Sequence, residues 1–361
     1  MKRFSPWAAA ISIAAALLLP CRAMDLSAHS ALLLDGTTGR VLYERNSDEK
    51  SLIASTTKIM TGLLICEQCD LGSRVQIRPE ATGIEGSSMY LREGEILSVQ
   101  DLLYGLMLRS GNDAAVALAL YCDGSVEAFA ARMNEKARQL GLHHTHFANP
   151  HGLDSDGNYS TAEDLARLAA FSMENTTFRR IVSTRSVTVG DRQLVNHNRL
   201  LWRYDGAVGV KTGYTKAAGR ILVSAAERNG RRLIAVTICA PNDWADHEKM
   251  LDYGFSCFRS TPVLTERVPL MTVPTVTADT PEVRAAAAES FSYPLAEGET
   301  AVVRLHLPPF VYAPVQAGES AGEAVIFVDS REAGRVELYW LDTANQIKIS
   351  KLDALKRRLG G

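Results

Sequence analysis

The segment Ala54-Ser-Thr-Thr-Lys-Ile-Met-Thr61 says most about how this chain folds, because it places a serine three residues before a lysine at the start of a helical pattern. Apolar residues recur at helical spacing from about Thr56 to Cys69, which predicts a helix there. Residues three apart face the same side of a helix, so the Lys58 amine can reach the Ser55 hydroxyl. A partly desolvated lysine with a lowered pKa can take the proton of a serine and activate it as a nucleophile.

Two further short motifs follow along the chain. Ser110-Gly-Asn112 lies between two predicted helices, where the Ser110 hydroxyl can relay a proton and the Asn112 amide can hold a peptide group. Lys211-Thr-Gly213 precedes a predicted hairpin. Each motif alone is also typical of an ordinary turn, strand edge or capped helix. Their combination in this order indicates a single catalytic site.

The third motif has the chemistry of a carboxylate-binding strand. Lys211 offers a positive charge and Thr212 offers a hydroxyl group to a carboxylate. Gly213 has no side chain and therefore lets a substrate backbone lie close to the strand. At the first motif, the helix start adds its positive end, and the Ser55 N–H can point at a developing oxyanion.

Strands begin and end this part of the chain, and helices fill its middle. Ala31–Asp35 and Arg40–Glu44 are predicted strands around a glycine-bearing turn. Ile221–Ala225 and Leu233–Thr237 flank Asn229-Gly230, a pair that tolerates the positive φ of a type I′ hairpin turn. The predicted helices are Leu102–Leu108 after a Ser98 cap, one from Asn112, one from Ser125 to Gly141, Thr161–Phe171, and one near Asp243–Phe258. The predicted fold class is α/β, an antiparallel sandwich with a helical insertion.

The residue pattern of the sequence changes after Pro262. Residues 24–262 are predicted to form the first domain, and residues 263–345 a small all-β domain of short strands separated by proline and glycine. The Ala-rich run Val283–Glu289 is the one stretch there with a helical pattern. The short strands are Val268–Val276, Thr300–Leu307, Ala324–Asp329 and Gly334–Leu341.

Residues 346–361 form a basic tail. Leu352, Leu355 and Leu359 fall on one helical face, beside basic residues that include Lys351 and Lys356. This pattern leaves two interpretations open, a solvated tail or weak peripheral contact with an anionic membrane surface.

The pattern of residues 1–23 predicts an export signal. Lys2 and Arg3 precede an apolar run from Trp7 to Leu19, and Cys21-Arg-Ala23 fits cleavage after Ala23. The apolar run is short for a bilayer span, so a retained membrane helix is the weaker alternative. The expected location is extracytoplasmic, in the cell wall or periplasmic space.

Composition narrows the functional classes further. The chain has 361 residues, with 39 Lys and Arg against 41 Asp and Glu and a net charge of −2. Nucleic acid is excluded as the main partner, because phosphate binding needs a basic excess. Cys66-x-x-Cys69 has redox or metal spacing but no second ligand pair to complete a zinc site, so neither a metal nor another cofactor is predicted.

The three motifs and their surroundings closely resemble the penicillin-recognising serine peptidases, specifically the low-molecular-weight D-alanyl-D-alanine carboxypeptidases. The resemblance covers about residues 26 to 260 and implies a β-lactamase/transpeptidase-like sandwich. Ala313-Pro-Val-Gln-Ala-Gly318 is similar to part of that family's C-terminal β domain. The resembling segments beyond the motifs are Phe147-Ala-Asn-Pro-His-Gly-Leu-Asp154, Tyr159-Ser-Thr161 and Lys211-Thr-Gly-Tyr-Thr215 with Ala218-Gly219.

The resemblance also implies a role for each motif residue. Val208 departs from the family pattern, because many relatives carry an acid shortly before the Lys-Thr-Gly strand. The implied roles are Ser55 as acylated nucleophile, Lys58 as general base, Ser110 as proton shuttle, Asn112 for the substrate amide, Lys211 and Thr212 for the terminal carboxylate, and the N–H groups of Ser55 and Tyr214 as oxyanion hole.

The activity implied is removal of the terminal D-Ala from peptidoglycan pentapeptide stems through a seryl acyl-enzyme, which regulates wall cross-linking and cell shape. The partners implied are stem peptides ending in D-Ala-D-Ala, with β-lactams as covalent inhibitors. A β-lactamase, a D,D-endopeptidase and a non-catalytic penicillin-binding sensor are the alternatives. A β-lactamase needs a deacylating carboxylate, for which Glu163 is the nearest candidate. A Ser-His-Asp triad is disfavoured, because His143, His144 and His146 lie at a predicted helix exit and its loop.

Overall fold

The computed structural model describes residues 10–14 and 24–347, which divide into two compact units. One unit comprises residues 24–256, and the other comprises residues 257–347 with residues 10–14. Most of the predicted signal peptide and the tail from residue 348 lie outside the described residues. Within the described part of the chain, no single helix is long and apolar enough to cross a membrane.

The first unit is built on a five-stranded antiparallel sheet. Its strands are β1 (Ser30–Asp35), β2 (Val41–Arg45), β3 (Ala207–Thr215), β4 (Gly219–Arg228) and β5 (Arg231–Ile238), in the order β3-β4-β5-β1-β2. Ser30 of β1 pairs with Ile238 of β5, so strands from the two ends of the unit lie side by side in one antiparallel sheet. Asn229 and Gly230 both have positive φ at the β4–β5 turn, as the hairpin prediction requires.

Both faces of this sheet are covered. Leu32 and Leu34 lie in the main hydrophobic core, together with side chains of the helices that fill the middle of the sequence. The alternate residue Leu33 lies on the other face, against Gly254 of the last helix. The helices are α1 (Lys58–Gln68), α2 (Val99–Leu108), α3 (Asn112–Asp123), α4 (Val126–Gln139), α5 (Ala162–Glu174), α6 (Thr176–Ser183), α7 (Leu200–Arg203) and α8 (Asp243–Cys257).

Local capping fixes where the predicted helices begin. The Ser98 hydroxyl accepts a hydrogen bond from the Asp101 backbone N–H, and the Asp101 carboxylate accepts one from the Ser98 N–H, so α2 starts with a capping box. The Ser125 and Thr161 hydroxyl groups cap α4 and α5 by accepting from the backbone N–H groups of Ala128 and Asp164. The elements that the sequence did not predict include α6, α7 and the hairpin of Ser186–Val189 with Arg192–Val195. Short strand pairs join Ser51–Leu52 to Tyr159–Ser160 and Arg74–Gln76 to Ile96–Ser98.

From Arg259 onwards, the second unit consists of β-strands joined by turns, as predicted, whereas the strand Ala10–Ala14 falls in the segment predicted as an export signal. Its larger sheet has seven strands, in the order Ala10–Ala14, Thr300–His306, Ser320–Val328, Arg331–Trp340, Glu282–Ala287, Pro269–Val276 and Val311–Tyr312. Arg259–Leu264 pairs with Phe291–Leu295 in a separate two-stranded sheet.

The Ala-rich run of this unit corrects one expectation from the sequence. Glu282–Ala287 is a strand rather than a helix, and it pairs with strands on both sides. Val283 and Ala285 are fully buried, whereas Arg284 between them is exposed and binds Asp342. Buried and exposed side chains alternate along this segment, as in a strand, and both of its edges are hydrogen-bonded to other strands. These contacts outweigh the helix propensity of alanine.

Candidate active site

Ser55 lies in a 3-10 turn, Ala54–Thr57, that leads directly into α1. Lys58 opens the helix, and its side chain is fully buried. Lys58 Nζ lies 3.0 Å from Ser55 Oγ, so the two groups meet as their spacing predicts. Ala54 holds a positive φ of 44°, which turns the chain so that Ser55 is half-exposed beside its buried partner.

The Lys58 amine is surrounded by oxygen atoms. Nζ lies 2.7 Å from Asn112 Oδ1 and 2.5 Å from the His151 carbonyl oxygen, in addition to Ser55 Oγ. Burial holds the pKa of Lys58 well below its ordinary value of 10.5, and the charge of Lys211 lowers it further, while Asp113 opposes both. A neutral amine donates two hydrogens and has one lone pair. It can therefore donate to the two carbonyl oxygens and accept the serine proton.

The Asn-Pro-His-Gly segment supplies one of those carbonyl oxygens. Thr61 Oγ1 donates to the Pro150 carbonyl at 2.7 Å, which fixes the segment against α1. Gly152 has a φ of +88°, and a Cβ there would lie 1.9 Å from the Ala54 carbonyl oxygen. The His151 ring takes no part in the contact with Lys58. Burial and the Lys58 charge lower its pKa to about 4, so the ring is neutral.

The second motif reaches the site from the start of α3. Asn112 donates from Nδ2 to the Glu85 carbonyl at 2.5 Å, which leaves its Oδ1 facing Lys58. The neighbouring Asp113 is buried and accepts from Ser88 Oγ at 2.6 Å and from the backbone N–H groups of Met89 and Leu91 at 3.1 Å. Asp113 thus holds the 85–91 loop over the site. The sequence analysis missed it, although an acid directly after the Ser-Gly-Asn motif is a visible signal.

The third motif lies on β3, the edge strand of the sheet. Lys211 is buried, donates from Nζ to the Thr212 carbonyl at 2.9 Å, and has its pKa lowered by burial to about 7. A Cβ on Gly213 would lie 3.3 Å from Ser55 N, so β3 runs directly past the serine turn. Tyr214 is 63% exposed. Val208 packs against the main core and lies at an irregularity in the pairing of β3 with β4, which is regular from Gly209 to Thr215.

One open cavity of about 940 Å³ joins these groups. Ser55, Ser110, Thr212, Gly213 and Tyr214 line it, whereas Lys58, Asn112 and Lys211 are buried behind the lining. Ser110 is 4% exposed and holds a φ of 60°. The structure therefore brings all eight sequence-predicted site residues together.

The opposite wall of the cavity was not predicted from the sequence. It comes from the segment around α7 and from β4 and α8, which bring Asn196, His197, Arg199, Trp202, Arg203, Arg220, Asp243 and Trp244 to the lining. Arg220 donates to both carboxylate oxygens of Asp243, at 3.1 and 3.0 Å. Burial, with the charges of Lys211 and Arg109, lowers the pKa of His197 to about 4.

The residues of the alternative mechanisms lie elsewhere. Glu163 binds Arg167 one turn along α5, with distances of 2.7 and 3.1 Å to the guanidinium. Within the described chain, the carboxylate that lines the cavity is Asp243, which Arg220 neutralises. His144 donates its backbone N–H to Asp164, and the His146 ring contacts the Gly157 carbonyl. No group of three or more potential metal ligands occurs among the described residues.

The fold and this constellation, with a serine hydroxyl 3.0 Å from a buried lysine amine, are those of a serine-type peptidase. The family model for peptidase family S11, D-alanyl-D-alanine carboxypeptidase, matches residues 19–242. The chain belongs to this family of serine carboxypeptidases.

The relatives cover most of the chain. The D-alanyl-D-alanine carboxypeptidase DacF of Bacillus subtilis is 36% identical over 318 residues, which is 84% of this chain and 82% of the relative. DacC of Escherichia coli is 34% identical over 319 residues, 83% of this chain and 80% of the relative. The crystal structure of penicillin binding protein 5 from Haemophilus influenzae matches with a TM-score of 0.77 and 28% identity, covering 90% of this chain and 99% of that one.

Proposed function

We propose that this serine carboxypeptidase removes the terminal D-Ala from peptidoglycan pentapeptide stems, with Ser55 as the acylated nucleophile. The observation that carries this assignment is the environment of Lys58. Its fully buried amine has two carbonyl oxygens to receive its hydrogens and the Ser55 hydroxyl at 3.0 Å. This arrangement suits a neutral lysine that takes the serine proton.

The proposed reaction has two steps. Ser55 Oγ attacks the carbonyl carbon of the penultimate D-Ala while Lys58 accepts its proton, and the N–H groups of Ser55 and Tyr214 bind the oxyanion. The C–N bond then breaks, and the leaving D-Ala amine takes a proton through Ser110. Water, activated through Lys58 and Ser110, hydrolyses the ester and frees the serine.

Substrate binding is proposed for the remaining site residues. Asn112 holds the amide of the peptide backbone. Lys211 and Thr212 bind the terminal carboxylate, and Gly213 leaves room for the backbone alongside β3. The burial of Lys211 beside its own strand supports this, since a substrate carboxylate there would meet a charge poorly screened by water.

The test is incubation of the mature protein with a diacyl-Lys-D-Ala-D-Ala peptide and identification of the products by mass. We expect one D-Ala per peptide and a truncated peptide that ends in D-Ala. Ser55→Ala abolishes both D-Ala release and labelling by a penicillin probe. Ser183→Ala, a surface serine outside the cavity, is the matched control. Unchanged labelling of Ser55→Ala would sink the assignment.

The fate of a penicillin adduct separates this activity from that of a β-lactamase. Glu163 is paired with Arg167 and the cavity carboxylate with Arg220, so neither is placed to activate a deacylating water. The leaving group of a penicilloyl ester stays tethered and blocks that water. We expect a stable adduct on Ser55 by intact mass, with peptide turnover inhibited in parallel. Rapid penicillin turnover without an adduct would favour the β-lactamase.

An extracytoplasmic location and a role in cross-linking and cell shape complete the proposal. Residues 24–262 are proposed to hold the peptidase activity. The sequence pattern of residues 1–23 supports export. The basic tail is either solvated or in weak contact with the membrane surface. Deletion of residues 346–361 is expected to leave most activity intact. If the tail binds membranes, the deletion also moves the protein from the membrane pellet to the soluble fraction.

A further inference from the structure

The two helices that carry Lys58 and Asn112 also end side by side. α1 and α3 pack against each other, and the hydrogen bond from Lys58 Nζ to Asn112 Oδ1 joins their first residues. Cys69 follows the last residue of α1, and Cys122 is the penultimate residue of α3. Both are free thiols and both are half-buried. Their side chains are hydrogen-bonded to each other.

A polar clamp holds these two helix ends in place. Arg132 of α4 donates from Nε to Asp123 Oδ2 at 2.9 Å and from Nη1 to Gln68 Oε1 at 2.5 Å. Gln68 and Asp123 are the chain neighbours of the two cysteines, and Cys122 Sγ itself lies 4.0 Å from Gln68 Oε1. The two hydrogen-bonded thiols therefore lie beside backbone that Arg132 holds on both sides.

We propose that Cys69 and Cys122 form a disulfide that ties the ends of α1 and α3 together. The two cysteines of the Cys66-x-x-Cys69 motif have different surroundings. Cys66 packs against the main core near Arg180, and burial raises the pKa of its thiol to about 12. A thiol of that kind is a poor partner for exchange, because the thiolate is the reacting form.

The oxidant proposed is a small-molecule or protein disulfide that acts by thiol–disulfide exchange. The hydrogen bond between the thiols lowers the pKa of Cys122 and raises that of Cys69, so Cys122 attacks first. One sulfur of the oxidant leaves as a thiol, and a mixed disulfide remains on Cys122. Cys69 then attacks this mixed disulfide, loses its proton, and releases the second sulfur as a thiol. One disulfide is consumed, one is formed, and two thiols are released.

The cross-link is expected to act on stability rather than on chemistry. It closes a loop of roughly 50 residues that contains the Ser110 motif, and it restricts the unfolded chain more than the folded one. α1 has 11 residues, so the bond lies about 16 Å from Lys58 along the helix. We expect oxidation to raise the midpoint of thermal unfolding by about 5–10 °C. We expect the rate of penicillin acylation to change by less than about twofold.

The test treats the full-length mature protein with oxidised or reduced glutathione, blocks remaining thiols with iodoacetamide, and maps tryptic peptides without reduction. Ile59–Arg74 carries Cys66 and Cys69, and Ser110–Arg132 carries Cys122. We expect these peptides to be linked after oxidation and separate after reduction. Cys69→Ser and Cys122→Ser each abolish the linked species and the thermal shift.

Cys66→Ser is the matched control, because it changes the other cysteine on the same tryptic peptide and should leave both effects intact. A link through Cys66 overturns the proposal, as does a mixed disulfide that persists on Cys122 while the exposed Cys239 is glutathionylated. Oxidised and reduced wild-type protein give the thermal shift without any variant, so a serine variant that fails to fold does not affect the outcome.

Discussion

Gly213 lies directly against the backbone nitrogen of Ser55. A Cβ atom at position 213 would be 3.3 Å from that nitrogen and 3.2 Å from the Ile53 carbonyl oxygen. Both distances are shorter than ordinary van der Waals contacts, and both neighbours are backbone atoms that cannot swing away. The width of the gap between β3 and the serine turn therefore depends on the absence of a side chain at this position.

Gly213→Ala should reduce acylation far more than stability. The added methyl group pushes β3 away from the serine turn and moves the oxyanion-binding N–H groups apart. We expect the second-order rate of penicillin acylation to fall by about 10- to 100-fold, with a loss of about 1–3 kcal/mol in unfolding free energy. Gly72→Ala, whose Cβ would meet only the Asp70 carboxylate at 3.6 Å or more, should change neither. Equal acylation rates for both variants would contradict this account of the gap.

Lys58→Met should abolish most of the activity without lowering the stability of the protein. The substitution removes the base, so D-Ala release is expected to fall by about 10³-fold or more. It also replaces a fully buried amine by an apolar chain of similar length, so thermal stability should stay equal or rise. Lys249→Met, at an exposed amine that donates to the Asp25 carbonyl, is the control for removing a lysine. Substantial activity in Lys58→Met would assign the base to another group.

The titration of Lys211 should make kcat/KM decline at high pH for substrates that end in a carboxylate, but not for those that end in an amide. Burial lowers its pKa to about 7 in the free enzyme, so the positive charge is lost as the pH rises through about 7. We expect kcat/KM for a free D-Ala-D-Ala carboxylate to decline above that pH. The C-terminal amide has no carboxylate to bind and should lack this limb. Lys211→Arg keeps its charge and should remove the decline, and an identical limb for both substrates would be evidence against carboxylate binding.

The same lysine should make stability depend on pH. The pKa of Lys211 is about 7 in the folded state and near its ordinary 10.5 in the unfolded state. Between these values the unfolded chain binds the extra proton, so the stability of the wild type rises with pH across that window. Lys211→Met should therefore be more stable than wild type by on the order of 4 kcal/mol near pH 6. The difference should shrink towards pH 10. Urea unfolding at several pH values measures it, and a constant difference would show that Lys211 titrates normally.

Asp113→Asn should shift the pH dependence of acylation as well as loosen the loop it holds. The Asp113 charge raises the pKa of Lys58, so its removal lowers that pKa and moves the acidic limb of acylation to lower pH. An asparagine also turns an NH₂ group towards the donors on Ser88, Met89 or Leu91. The expected loss is about 2–3 kcal/mol of unfolding free energy. Asp48→Asn, at an exposed carboxylate, should change neither property, and an unmoved acidic limb in Asp113→Asn would exclude the electrostatic link.

Residue patterns alone predict a contact between site residues only where the two residues are close together in the chain. Ser55 and Lys58 are three residues apart, so helix geometry alone brings them together. The Asn-Gly turn at residues 229–230 likewise fixes the β4–β5 hairpin through backbone conformation. The resemblance then links these local features to the Lys-Thr-Gly strand, which no spacing rule could place beside Ser55.

The features that were missed depend on contacts between distant segments. Asp113 acts on a loop more than 20 residues earlier in the chain, and no periodic pattern signals that contact. The wall around α7 lacks the length or periodicity from which helices are predicted. The Ala-rich strand Glu282–Ala287 was misread because alanine favours helices in isolation, whereas its conformation here is set by the strands on either side.

The pairing of β1 with β5 has a consequence for how the molecule is made. Ser30 is synthesised about 200 residues before Ile238, its partner across the sheet, so the catalytic sheet has a high contact order. Until β5 exists, the β1–β2 hairpin lacks its central neighbour, and Leu33 lacks the last helix that covers its face of the sheet. Assembly of the sheet is therefore expected late and slowly, with this hairpin as the segment that stays exposed until β5 is made.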